Sequence, residues 1–202
     1  MEAFETVELS TDLLIVGGGM AACGAAFEAS YWAKKNNLSV LLVDKAALDR
    51  SGAVAMGLSA INTYIGVGRG ENTPEDFVDY VQNDQMGTVR EDLVYDIARH
   101  VDSSVHLFEK WGLPIWKDAE GNYQRAGRWQ IMINGESYKV IVAEAAKNAL
   151  GVDNIIERLF IVRLLTDAND PKRIAGAAGF SVREHKVYFI KAKAICCMCG
   201  GA

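Results

Sequence analysis

The chain has 202 residues, half of them hydrophobic, and a formal net charge of −5, enough for one sizeable core. Charges of both signs are spread along it without a basic block, which disfavours nucleic acid as a partner. The longest apolar runs, Leu13–Val16 and Val40–Val43, fall far short of the ~18 residues a bilayer requires, so no transmembrane segment is expected.

In chain order, Met1 to Thr11 is acidic and lacks the basic start and apolar run of a secretory signal, so a cytoplasmic protein is expected. Thr11–Val16 predicts a short strand buried on both faces, as in a parallel sheet. A glycine turn follows, then an Ala-rich helix from Ala21 to Lys35 that Asn36 and Asn37 end, then a second buried strand at Ser39–Val43. Strand, turn, helix and strand make a βαβ unit with a right-handed crossover. Ala47–Thr63 is rich in Gly, Ala and Ser and reads as a loop plus a tight helix.

Thr73-Pro74-Glu75-Asp76 marks a helix start, with Thr as N-cap, Pro in the first position and acids in the first turn. Glu91 to Lys110 predicts another helix, with Val94, Ile97, Ala98, Val101, Val105 and Phe108 as its core face. Asp118–Asn122 reads as a turn between short strands at Pro114–Lys117 and Tyr123–Arg125, and Trp111 and Trp116 read as core. Ser137–Leu150 predicts a helix that Gly151 stops.

From Ile155 onward the pattern is β. Ile155–Thr166, Arg173–Arg183 and Val187–Ile190 predict a three-stranded meander, and Ala192–Met198 a separate buried strand stopped by Gly200-Gly201. A buried strand with nothing after it is a poor terminus, so the native chain is expected to continue. Three organisational segments result: a βαβ dinucleotide-binding unit at 1–66, a mostly helical segment at 67–153, and the meander with its returning strand at 154–202. Cys196, Cys197 and Cys199 offer three thiols, yet no fourth ligand is near and His100, His106 and His185 are scattered. These cysteines are therefore read as part of a buried strand, with neither metal nor disulfide expected.

The chemistry is concentrated in Gly17-Gly18-Gly19-Met20-Ala21-Ala22, which fits G-x-G-x-x-G/A directly after a strand. Gly17 permits the tight turn. Gly19 lets backbone approach a pyrophosphate, and Ala22 lets the helix lie close to the sheet. The opening helix then offers free amides and a positive dipole end to the phosphates. Asp44 ends the second strand, 25 residues after Gly19, where a carboxylate accepts hydrogen bonds from ribose hydroxyls. These pieces suit NAD or FAD equally.

Resemblance separates the two. Leu42-Val43-Asp44-Lys45, Arg50-Ser51-Gly52-Ala53 and Gly57-Leu58-Ser59-Ala60-Ile61-Asn62 resemble the flavoprotein family of fumarate reductase and succinate dehydrogenase, as does the final strand leading to Gly200-Gly201-Ala202. The fold this implies is α/β, a Rossmann-type FAD-binding domain with a β-meander, truncated at the C-terminus. It implies contacts to FAD from Gly17, Gly19, Met20, Ala21, Ala22, Asp44, Lys45, Ser51, Gly52, Ala53, Gly57, Gly200 and Gly201. Where membrane-bound members carry a histidine that bonds the flavin, this chain has Gly52, which implies non-covalent FAD.

Ala55 to Tyr64, Gln82 to Gly87 and Asn134-Gly135-Glu136-Ser137-Tyr138-Lys139 are similar to the flavin subunits of the dissimilatory adenylylsulfate reductase family. That similarity implies reversible conversion of adenosine 5′-phosphosulfate to AMP and sulfite through a flavin–sulfite adduct. It implies a ferredoxin-like iron–sulfur beta subunit as electron donor and no metal in this chain. It also implies catalytic roles for Asn62 beside the flavin and Glu136 beside the substrate. A fumarate reductase or aspartate oxidase, or an FAD-binding fragment without turnover, stands as the alternative.

Overall fold

The computed structural model describes residues 3–66 and 72–201. The expectations placed on Met1 and Ala202, and the first residues of the 67–153 segment, fall outside these. The chain divides into two compact units, Met1–Met56 with Lys139–Ala202, and Gly57–Tyr138.

The first unit is built on β1 (Glu5–Val16), α1 (Met20–Asn36) and β2 (Val40–Asp44). α1 contains no β-branched residue, and its small residues Ala22, Ala26, Ser30 and Ala33 are buried along one stripe, so the helix axis lies close to the sheet. Lys34 and Lys35 favour its C-terminal dipole, and Asn37 ends it in the left-handed region at φ 51°. After Leu48–Arg50 and Ala53–Met56, two short 3₁₀ turns, the chain leaves this unit and re-enters it in α4 (Tyr138–Leu150). The strands β5 (Ile155–Glu157), β6 (Leu159–Thr166), β7 (Ile174–Ser181) and β8 (Lys186–Cys197) follow.

One six-stranded sheet has the order β5-β2-β1-β8-β7-β6. β2 and β8 flank β1 in parallel, β5 extends β2 in parallel, and β7 and β6 continue antiparallel beyond β8. Two departures from the predicted elements come from this pairing. The expected single strand Ile155–Thr166 breaks at Arg158 (φ 63°), so that its halves form the two opposite edges of the sheet. One residue joining both edges means that the sheet curls upon itself. Leu14 and Val43 consequently share a core with Leu159, Ala177 and Ile190. Conversely, the expected pair Val187–Ile190 and Ala192–Met198 is one continuous strand, because β1 supplies partners along its whole length from Lys186 to Cys197. The same pairing extends β1 back to Glu5, well before the predicted start at Thr11. Full burial of a residue such as Leu14 or Leu42 contributes roughly 1.5–3 kcal/mol.

An ionic staple joins β1 to β8 and to the start of β2. Asp12 Oδ1 accepts from Lys193 Nζ at 2.6 Å, and its Oδ2 accepts from the Ser39 backbone N–H and hydroxyl at 2.7 and 2.8 Å. These contacts, the Lys193 bond first, hold the Asp12 carboxyl at about 2, against an ordinary 3.8.

The second unit contains β3 (Ala60–Ile61), α2 (Pro74–Asp84), α3 (Glu91–Lys110) and β4 (Ile131–Met132). Thr73 caps α2 through a reciprocal pair with Asp76, and Pro74 takes its first turn, as the sequence predicted. Ile65, Phe77, Ala98 and Trp129 form its core. Ile97, assigned to the core face of α3, is more than half exposed, because α3 buries only a narrow stripe through Ala98 and Val105. Trp116 is likewise half exposed rather than core. The predicted strands at 114–117 and 123–125 are isolated bridges, Ile115 to Ile133, Lys117 to Tyr123 and Arg125 to Ile131. The tight helix expected within 47–63 resolves into the two 3₁₀ turns and the two residues of β3.

Candidate functional site

The first unit holds a cleft of about 520 Å³ at the carboxyl ends of β1 and β2, where the chain passes from β1 into α1. Gly17, Gly18 and Gly19 form its floor, and Met20 and Ala21 begin the helix beside it. Gly17 has φ 119°, its N–H donates to Val43 O at 2.8 Å, and a side chain there would meet the Met198 carbonyl. Met198 is held in turn by donating its N–H to Val16 O at 2.7 Å. Gly19 is the N-cap of α1 and brings no side chain to its first amides, and no acidic residue sits in that turn. The helix start therefore presents free N–H groups and a positive dipole end to an anion.

Asp44 is buried at 5% exposure, lines the same cleft, and accepts the Ala46 N–H at 3.2 Å. A Cβ on Gly18 would stand 2.5 Å from Asp44 Oδ2. The middle glycine is thus required by the acid, a role that motif spacing did not disclose although both residues were in view. Gly19 is less crowded: a Cβ there meets only Gly52 Cα, at 3.6 Å. Gly52 is the tighter partner, with φ 82° and a would-be Cβ 2.8 Å from Gly19 Cα.

Lys45, Ser51, Gly52, Ala53 and Gly200 also line the cleft. Ala22 is fully buried beneath it and acts through packing, whereas Gly201 is exposed and outside the lining. Gly57 belongs to the second unit. Leu159, Phe160 and Ile161 line the cleft without any signal in the sequence, delivered there by the break at Arg158. Lys45 Nζ stands 5.7 Å from the Phe160 ring centroid, giving one wall a cationic and aromatic character.

The cysteine-rich strand end is more open than predicted. Cys196 is half-buried, Cys197 and Cys199 are exposed, and all four cysteines are free. β7 pairs with β8 only from Val187 to Lys191, so the last residues of β8 keep β1 alone as a hydrogen-bonded neighbour. Among the described residues no group of three His, Cys, Asp or Glu side chains is placed to hold a metal ion.

Asn62 and Glu136 are both exposed and line separate depressions of the second unit. Asn62 shares a small one, about 240 Å³, with Arg128 and Trp129. Glu136 shares a wide one, about 690 Å³, with Gly57, Trp116 and Asn134. Within this unit the two side chains do not converge. Arg128 stacks over Trp129 at 4.7 Å and donates to Asn72 Oδ1 at 2.6 Å. His100 and His106 are exposed on α3.

Residues 12–202 match the profile of a family described as FAD binding domain. The chain belongs to the FAD binding domain family. FAD is therefore the cofactor of this domain, and the glycine floor, the uncapped helix start and the buried Asp44 suit its diphosphate and ribose. The chain is 60% identical over 218 aligned residues to the adenylylsulfate reductase subunit alpha of Megalodesulfovibrio gigas, covering 97% of this chain and 32% of that protein. A solved adenosine-5-phosphosulfate reductase in complex with sulfite, as a covalent adduct, matches with 62% identity and a TM-score of 0.94, over 98% of this chain and 32% of the other. The adenylylsulfate reductase of Archaeoglobus fulgidus matches with 63% identity and a TM-score of 0.93, over the same shares. Escherichia coli quinol fumarate reductase shares the fold, at 20% identity and a TM-score of 0.73, over 96% of this chain and 33% of that one. The FAD-binding domain described here thus spans about a third of the length of the reductases it most resembles in sequence among these. No helix among the described residues is long and apolar enough to cross a membrane.

Proposed function

We propose that this chain is the FAD-holding part of an adenylylsulfate reductase alpha subunit, which converts adenosine 5′-phosphosulfate reversibly to AMP and sulfite. The observation that carries the reading is identity of 60–63% to adenylylsulfate reductases across nearly the whole chain, against 20% to a fumarate reductase of the same fold. When bound, FAD supplies the two-electron chemistry at sulfur.

In this reading the residues of the chain bind and orient. Gly17, Gly19 and the first amides of α1, at Met20 and Ala21, take the diphosphate, while Asp44 accepts from the adenosine ribose. Lys45, Ser51, Gly52, Ala53, Gly57, Gly200 and Gly201 follow the rest of the cofactor. Gly52 bears on how FAD is held: glycine offers no side chain to bond the flavin, and a Cβ here would stand 2.8 Å from Gly19 Cα, which together support non-covalent FAD. Asn62 and Glu136 act on the reacting end and the substrate. Electrons arrive from an iron–sulfur beta subunit of ferredoxin type.

The test uses the full-length protein with its beta subunit. Adenosine 5′-phosphosulfate should be consumed with AMP and sulfite formed, sulfite alone should bleach the flavin absorbance, and acid precipitation should release all the flavin. Reduction of fumarate with no turnover of adenosine 5′-phosphosulfate overturns the substrate. Flavin retained on the precipitate overturns the non-covalent attachment.

A further inference from the structure

Beneath the phosphate loop lies a buried lysine that the reading above does not use. Lys139, near the start of α4, is 2% exposed, and its amine donates to Cys23 Sγ at 3.3 Å. Cys23, on the first turn of α1, is 1% exposed and its thiol lies 3.6 Å from the Gly18 carbonyl oxygen, which accepts from it. A lysine ammonium has three protons and no lone pair, so the sulfur accepts from Lys139 and directs its own proton at Gly18. Burial pushes the Cys23 thiol up, which keeps that proton in place. The chain of bonds thus has one direction, from Lys139 through Cys23 to Gly18.

The consequence follows from peptide geometry. In a trans peptide plane the carbonyl of one residue and the N–H of the next point in opposite directions. Drawing the Gly18 carbonyl inward toward Cys23 turns the Gly19 N–H outward, toward the cleft. Glycines at both positions leave this plane free to rotate, so an anchor from outside the loop is what selects one orientation. A bond chain beginning at an ammonium is also polarised along its length, which strengthens the weak S–H···O contact.

We propose that Lys139 and Cys23 are positioning residues that set the Gly18–Gly19 peptide so that the Gly19 N–H meets the FAD diphosphate. The proposal rests on the placement of FAD at this loop. Lys139 touches no cofactor atom in this role and acts through Cys23.

The experiment uses apo full-length protein reconstituted with FAD, followed by quenching of flavin fluorescence, with ADP and adenosine as competitors. Wild type should favour ADP over adenosine, since only ADP presents a diphosphate. Lys139→Met and Cys23→Ala should each lower that preference about tenfold, the scale of one hydrogen bond to a charged group. Cys23→Ser, which keeps a donor and an acceptor, should retain it within about threefold. A merely structural role for the pair weakens ADP and adenosine alike and overturns the proposal, as does equal loss in Cys23→Ala and Cys23→Ser. Should Lys139→Met fail to fold, the two cysteine variants decide alone. A wild type that does not distinguish ADP from adenosine overturns the placement of FAD itself, and so separates the two failures.

Discussion

The loop at Gly17–Gly19 and the depressions around Asn62 and Glu136 differ in how their residues are constrained. In the first, Gly17 is hemmed in by Met198, Gly18 by Asp44, and Gly52, which faces the loop, by Gly19. In the second, Asn62 and Glu136 are exposed and line different hollows. A pre-formed cradle reveals its ligand class through sterics alone. Exposed polar side chains reveal a role only through what they touch when a ligand is bound.

The largest test of this contrast is Gly17→Ala. It forces a left-handed residue against the Met198 carbonyl, so the full-length protein should lose roughly 3 kcal/mol of stability and its bound flavin. Denaturant titration and the flavin absorbance read both, and a variant with normal flavin breaks the cradle argument. Next is Glu136→Gln, which should lower kcat/KM for adenosine 5′-phosphosulfate about 10–100-fold, as for loss of a charged hydrogen bond, with flavin content unchanged. If flavin is lost as well, the residue belongs with the cradle and the comparison dissolves.

The smallest effect is that of Asp12→Asn, which tests a contact of the sheet outside the cleft. The folded pKa of Asp12, about 2, lies below the ordinary 3.8, so the unfolded chain binds the proton more readily. Its stabilisation is therefore fully present above pH 3.8 and fades as pH falls toward 2. Wild type and variant, compared by chemical denaturation, should differ at neutral pH and converge in acid. A gap that stays constant with pH would show that the Lys193 and Ser39 contacts do not act through charge.

Much of the site was readable before any fold was known. The glycine run, the Ala-rich helix without β-branched residues and the acid closing the second strand are local features, and each has a local cause. The Thr73 cap was legible for the same reason, since its partner Asp76 is three residues away. Phe160 in the cleft was not legible, because it arrives through the turn at Arg158, where nothing in Ile155–Thr166 interrupts the β pattern. The exposure of Trp116, Cys197 and Cys199 was equally hidden, since an apolar run does not say what covers it.

Sequence alone determined the elements whose causes lie within a few residues: the phosphate loop, the Ala-rich helix after it, the Thr73-capped helix, and the carboxylate at the end of β2. Tertiary structure alone decided that β8 runs unbroken, that β1 begins at Glu5, and that the meander returns to the opposite edge of the sheet. The physical reason is that strand limits and burial depend on partners far away in the chain, whereas backbone turns and caps depend on neighbours.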